Sequence, residues 1–295
     1  MRSSVKFWYR GIRRTLGLIP PGKGLHILPD DVFLVSFPKS GNTWTRFLLA
    51  NLIFPNEPAT WANIDHLIPC LVATPAKIFQ RTPRPRIIKS HECFDPRYPK
   101  VIYIVRDPRD VVLSQYHYSR KTRVIADDLP METFVAQFLA GDTCPYASWG
   151  QNVATWLYTS QGSPRFLLLR YEDMIADTPR ELEKIVHFLQ LSVSTEQVTQ
   201  AVERSSADRM RKLEKVQVDT NILFKGSRDD LSFVRTAGSG GWRNDLPMPM
   251  VEKIETTWGP LMGHLGYELA TQAPSKARDY ASLEIDFDSL FHATS

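Results

Sequence analysis

The hydrophobic pattern of the chain alternates between two periods. Four short runs are apolar almost throughout: Asp31–Phe37 (DVFLVSF), Arg86–Lys89 (RIIK), Val101–Val105 (VIYIV) and Phe166–Leu169 (FLLL). Apolar, β-rich runs of this length, without polar alternation, predict strands buried on both faces, as in a parallel sheet. Elsewhere the pattern is helical, in Thr43–Phe54, Asp110–Tyr118, Pro130–Ala140, Trp149–Ser160, Thr178–Leu189, Thr195–Glu203 and Pro249–Leu265. Pro108 falls near a first turn, where a missing N–H costs nothing, and Thr178 followed by Pro179 reads as a helix cap and first helical residue. Residues 55–85 are Pro-rich and irregular. Residues 214–247 hold Gly, Ser, Asp and charges and read as a long loop, a feature that in a compact domain is usually functional. Strands alternating with helices predict the α/β class: a mostly parallel central sheet with helices on both faces and ligands at the carboxyl ends of the strands.

The chain has 295 residues, enough for a sizeable core. We divide it into a basic segment 1–30, a domain 31–270 and a peripheral polar tail 271–295. A net charge of +4 favours anionic ligands but falls short of the basic balance of a nucleic-acid-binding domain. The first 29 residues carry six basic residues and no acidic one, with Val5, Trp8, Tyr9, Ile12 and Leu16 at helical spacing. Residues 1–20 fit a helix packed on the domain with a solvated basic face, peripheral contact with an anionic membrane surface, and an organellar transit peptide. No apolar run is long enough to span a bilayer, and no signal-peptide core is evident. Cys70, Cys93 and Cys144 are far apart, odd in number and without metal-ligand spacing, which suits a reducing, cytoplasmic setting.

The most informative stretch is SFPKSGNTW, residues 36–44, where a buried strand turns directly into a helix. Backbone N–H groups at such a junction attract phosphate oxygens. Gly41 permits close approach, Lys39 adds a point charge, Ser40, Asn42 and Thr43 add donors, and Trp44 offers a face for a purine. The nucleoside-triphosphate loop G-x-x-x-x-G-K-[ST] is absent, since the Lys precedes a single Gly. A second strand–turn–helix unit, residues 101–120, sets Arg106 at a strand end and Ser114 two helical turns on. There a planar guanidinium can grip a phosphate in two places. Lys89 and His91 sit together at the end of another strand, within RIIKSHECF.

These segments, in this order, resemble the sulfotransferase family over about residues 31–266. The resemblance implies a P-loop-like fold and transfer of a sulfuryl group from 3'-phosphoadenosine 5'-phosphosulfate (PAPS) to a hydroxyl or amine of a small acceptor, without a metal. It implies that Lys39 bonds the bridging oxygen, that Gly41, Asn42 and Thr43 hold the 5'-phosphate, and that Trp44 and Tyr171 contact adenine. It gives Arg106, Ser114 and Arg235 to the 3'-phosphate, the general base to His91, and sulfuryl-oxygen stabilisation to Lys89. Glu172 and Asp173 are expected to brace the following helix.

Three departures from the family pattern stand out. After Arg235 the family commonly has Lys-Gly; this chain has Thr236 and Ala237, whose backbone N–H groups remain available. A Phe that usually covers adenine is Ala207. A dimer motif with Thr-Val at its middle is replaced by Pro247 and Met248, and oligomeric state is left open. Trp61, Phe79, Tyr146 and Trp149 are candidates for an aromatic acceptor wall, or for core. The rival functions are a P-loop nucleotide kinase, which should need Mg²⁺ and the missing loop, a non-catalytic nucleotide binder, and a membrane-surface scaffold.

Overall fold

The computed structural model describes residues 20–217 and 226–271. The expectations for the basic segment 1–19, for the tail from 272, and for residues 218–225 of the long loop lie outside the described residues. The elements are β1 Val32–Ser36, α1 Asn42–Ile53, α2 Ile64–Leu67, α3 Ala76–Phe79, β2 Ile87–Ser90, β3 Val101–Val105, α4 Pro108–Lys121, α5 Met131–Ala140, α6 Trp149–Ser160, β4 Phe166–Arg170, α7 Tyr171–Ala176, α8 Thr178–Leu189, α9 Thr195–Arg204, α10 Ala207–Val216, α11 Trp242–Asp245 and α12 Met248–His264.

All four strands are parallel, in the order β2-β1-β3-β4. Strand periodicity sends alternate side chains to opposite faces. Phe33 and Val35 of β1 with Val101, Tyr103 and Val105 of β3 enter one core, which holds the apolar sides of α4, α5, α6 and α12. Leu34, Ile102 and Ile104 enter the other, beneath α1, α8 and α9. Both faces of β1, β2 and β3 are therefore covered, which is why these strands carry few polar residues. β4, expected to be buried as well, is an edge strand in which Phe166, Leu167 and Leu168 are only partly buried. A buried pair, with Arg86 donating through Nε to Asp31 at 2.7 Å, ties the entrances of β1 and β2 together.

The chain leaves β1 toward one face, into α1, and leaves β3 toward the other, into α4. These diverging connections open a crevice at the carboxyl ends of β1 and β3, where such sheets bind ligands. Several expectations need correction. The segment 55–85 contains two helical turns, α2 and α3, and helix α10 runs into the region read as loop. Thr178 is not the cap of α8: the Asp177 side chain accepts from the Arg180 N–H at 3.1 Å, and Thr178 is the first helical residue. Among the described residues, no helix is long and apolar enough to cross a membrane.

Candidate active site

The turn after β1 is fixed by local backbone geometry. Gly41 caps α1 at φ 96°, a left-handed conformation open chiefly to glycine. A Cβ there would stand 2.4 Å from the Tyr171 ring. Lys39 also adopts a positive φ, 69°, strain of the kind that gathers at functional sites. The turn opens onto the first N–H groups of α1, which have no partner within the helix. The Asn42 carboxamide faces the other way, donating to the Leu34 carbonyl at 3.1 Å and to Ser36 Oγ at 3.2 Å. It thus braces β1 against α1, and its backbone N–H remains for a ligand. Ser40 Oγ, Asn42 Oδ1 and Arg106 Nε are buried without a hydrogen-bond partner. Of these, Arg106 Nε belongs to a residue that lines the crevice, and an orphaned buried polar atom there suggests a polar ligand.

Two lysines and a histidine converge beside this turn. Lys39 Nζ lies over the rings of Tyr118, at 4.2 Å, and Phe233, at 4.4 Å. Burial, then the charges of Arg106 and Lys89, push its pKa down to about 7. Lys89 is buried at the end of β2, and burial lowers its pKa as well. His91 is lowered to about 3, by burial first and by the Lys89 charge second. Its Nδ1 stands 2.7 Å from the Ser36 carbonyl. A carbonyl can only accept, so the neutral ring carries its proton on Nδ1 and leaves Nε2 as the basic nitrogen.

On the other side of the crevice, Arg106 donates to the carbonyls of Lys39 at 3.1 Å and Gly238 at 3.0 Å, with its guanidinium 4.3 Å above the Tyr171 ring. Trp44 meets Tyr171 edge-on and donates to the Ser205 carbonyl at 3.1 Å. The late loop is held from a distance. Asp110 accepts from the N–H groups of Gly240 and Trp242 at 2.6 and 3.0 Å, and Glu214 accepts from those of Phe233 and Val234 at 2.6 and 3.2 Å. Arg235 makes a loose pair with Asp245 at 3.7 Å, and Ala237 has a positive φ of 52°. A residue of that hand turns successive N–H groups into an anion-binding concavity. These elements enclose a cavity of about 350 Å³, lined by Lys39, Gly41, Asn42, Thr43, Trp44, Lys89, His91, Arg106, Ser114, Tyr171, Arg235, Thr236 and Ala237. Its size and few convergent charges suit a small anionic ligand.

A family profile for the sulfotransferase domain matches residues 29–266. The chain belongs to the sulfotransferase family. Sulfotransferase 1A1 of Bos taurus is 31% identical over 258 residues, spanning 82% of this chain and 86% of that one. The amine sulfotransferase of Oryctolagus cuniculus is 28% identical, spanning 78% of this chain and 79% of that one. Among solved structures, a mouse sulfotransferase complexed with PAP superimposes with a TM-score of 0.65 at 26% identity, over 82% of this chain and 87% of that one. A retinol dehydratase in complex with retinol and PAP shares the fold, with a TM-score of 0.68 at 19% identity over 85% of each chain.

In this sulfotransferase the crevice gathers every site residue expected from sequence except Ser40, which is buried beneath the turn. Sequence reasoning missed Tyr118 and Phe233, the rings around Lys39. Neither carries a local signal, because their meeting depends on how the late loop folds over α4. The aromatic candidates divide: Trp61, Phe79 and Trp149 are buried in the cores, and the Tyr146 ring lies 5.5 Å from that of His91. Glu172 does not brace the following helix, as expected from sequence; it accepts from the Asp107 N–H at the start of α4 and from the Tyr267 hydroxyl, each at 3.0 Å. Burial raises its pKa. Asp173 only approaches Arg170, at 3.9 Å. Among the described residues, no group of three or more His, Cys, Asp or Glu side chains is placed to hold a metal ion.

Proposed function

We propose that this sulfotransferase takes its sulfuryl group from PAPS and passes it in line to a hydroxyl or amine of a small acceptor, with His91 as general base. The observation that carries the reading is the placement of His91. It is tied through Nδ1 to the Ser36 carbonyl and shares one cavity with Lys39, Lys89 and Arg106, where burial favours its neutral form. An acceptor hydroxyl gives its proton to Nε2 of His91 as its oxygen takes the sulfuryl group, and the electron pair of the broken S–O bond leaves on the nucleotide phosphate. Lys39 stands for that leaving oxygen and Lys89 for the sulfuryl oxygens, fixed charges of the kind that stabilise a transition state in a dry site. Burial holds the His91 pKa low first and the Lys89 charge second. Entry of an anion offsets only the charge part, and in that measure the imidazole becomes more basic as the site fills. Gly41 and the first N–H groups of α1 take the 5'-phosphate. Arg106, Ser114, Arg235 and the backbone of Thr236 and Ala237 take the 3'-phosphate, and Trp44 and Tyr171 take the adenine. The amine sulfotransferase among the relatives supports keeping amines beside hydroxyls as acceptors.

The test is transfer from sulfur-labelled PAPS to a panel of phenols, aliphatic alcohols and amines, with and without EDTA. Labelled product in the presence of chelator is the expected result. Nucleotide binding with no transfer to any class would leave a binding protein. Transfer that vanishes with EDTA and returns with Mg²⁺ would favour kinase-like chemistry.

A further inference from the structure

Asn152 lies at the start of α6, fully buried and outside the walls of the cavity. A buried carboxamide is costly unless its polar atoms are bonded, and here they are. Nδ2 donates to the carbonyl of His91 at 3.0 Å and to that of Tyr146 at 3.2 Å, with Cys93 Sγ at 3.6 Å. Oδ1 accepts from the Tyr103 hydroxyl at 2.8 Å. Burial holds the Tyr103 phenol well above its ordinary pKa, so it remains a donor. A half-turn of the carboxamide would set its oxygen against two carbonyls, so only one orientation is bonded. The group links the end of β2, the loop before α6 and the middle of β3.

We infer that Asn152 is a positioning residue for sulfuryl transfer, holding the backbones of His91 and Tyr146 so that the base and the ring beside it keep one orientation toward the acceptor. The inference rests on the reading of His91 as base. Ser36 restrains the imidazole through Nδ1, and Asn152 restrains the backbone from which that imidazole hangs. Two restraints from different elements leave Nε2 one direction. Tyr146 shares the same carboxamide, so a shift of Asn152 moves the base and its neighbour together. A misplacement of about 1 Å can cost roughly 100-fold in rate.

The full chain is tested with Asn152→Ala, Asn152→Asp and Tyr103→Phe. The first removes both donors, the second turns an oxygen toward the two carbonyls, and the third removes the bond that orients the amide. With an acceptor confirmed in the labelled-PAPS panel, kcat should fall roughly ten- to a hundredfold in the two Asn152 variants and about threefold in Tyr103→Phe. The Kd for 3'-phosphoadenosine 5'-phosphate, the product nucleotide, should stay within about twofold, because Asn152 does not line the nucleotide cavity. Nitrogen NMR on histidine-labelled protein should show one neutral tautomer of His91 in the wild type and a mixture in Asn152→Ala. In a His91→Ala background, Asn152→Ala should cost at most about twofold more, since the two residues act as one unit. Unchanged kcat and tautomer, a parallel loss of nucleotide affinity, or a full extra loss in the His91→Ala background would each overturn the inference. If Asn152→Ala does not fold, an unchanged rate and tautomer in Tyr103→Phe overturns it alone. Full activity in His91→Ala is a separate outcome: it rejects the base, and is seen before any Asn152 variant is made.

Discussion

The two sides of the crevice are built in different ways. At the carboxyl ends of β1 and β2, the functional groups follow directly from buried strands: Lys39 and Gly41 in the turn after β1, Lys89 within β2, His91 one residue beyond it. Their positions are set by the sheet register, in which Leu34 pairs with Lys89, and by short-range backbone geometry. On the other side, the late loop has no strand beneath it. It is held by side chains far away in sequence, Asp110 and Glu214 on its N–H groups and Arg211 on the Val234 carbonyl at 3.0 Å. The strand-borne side holds the groups assigned to chemistry together with the 5'-phosphate turn, and the suspended side holds groups assigned to affinity alone. Variants of His91 should therefore change kcat, variants of Lys39 both kcat and nucleotide binding, and variants of the suspended side nucleotide binding only.

The largest effect should come from His91→Ala. A positioned general base contributes about 10²–10⁴-fold, and kcat should fall within that range. Affinity for the product nucleotide should stay within about twofold, since the proposal sets the imidazole against the acceptor rather than the nucleotide. Melting temperature and nucleotide titration keep the comparison clean. If the variant retains wild-type kcat on a confirmed acceptor, the strand-borne side does not hold the base.

Lys39 should place a proton signature on the same side. Its pKa near 7 in the free protein reflects burial and neighbouring cations, and an anion beside it raises that value. The sign follows: between about pH 7 and the higher pKa of the complex, nucleotide binding takes up a proton, and affinity falls as pH rises, by at most about tenfold per pH unit. Below about pH 7 the lysine is already charged and this dependence disappears. Calorimetry at pH 8 in buffers of differing ionisation enthalpy should show the uptake in wild type and its absence in Lys39→Met. No uptake in the wild type would mean that the ammonium is charged throughout.

Asp110→Asn probes the suspended side. The carboxylate accepts from two backbone N–H groups of the late loop, and such charge-assisted bonds contribute roughly 1.5–3 kcal/mol. The amide can replace one and opposes the other. Product-nucleotide affinity should weaken about tenfold, with kcat at saturating donor within about twofold. A fall in kcat with unchanged affinity would reverse the division between the two sides.

That division also explains what could be read from sequence. β1 and β3 announce themselves as apolar runs, and the turns after them carry Lys39, Gly41 and Arg106 at fixed offsets from the strand ends. Their chemistry is local and therefore legible. Tyr118 and Phe233 meet over Lys39 only because a distant loop crosses α4, and Asn152 reaches His91 only because α6 packs against the segment that follows β2. Helix α10 was hidden for another reason: its pattern, ADRMRKLEKV, buries only Met210 and Glu214, too narrow a stripe to stand out from a charged loop. Asp177 rather than Thr178 caps α8 because a Pro at the second helical position leaves two candidate caps before it, and the choice depends on side-chain geometry.

The smallest expected effect is at Ala237. Its φ of 52° lies where an alanine is strained by roughly 1–2 kcal/mol and a glycine is not. The resemblance places a glycine here in the family, so this chain holds its anion-binding turn against a local backbone preference. Long-range bonds such as those from Asp110 supply the counterforce. Ala237→Gly removes the strain in the folded loop but frees the unfolded chain by about 0.4–1 kcal/mol, so the two effects nearly cancel in stability. In binding the strain counts to the extent that the unliganded loop leaves its left-handed turn, an excursion that Ala237 favours and a glycine does not. Product-nucleotide affinity should rise about two- to fivefold, with the melting temperature nearly unchanged. The gain should be larger in an Asp110→Asn background, where the restraint on the loop is weaker and the intrinsic preference of residue 237 matters more. A double-mutant cycle on nucleotide Kd reads this coupling directly. Strict additivity would mean that Asp110 and Ala237 act separately, and that the late loop is not held as one suspended unit.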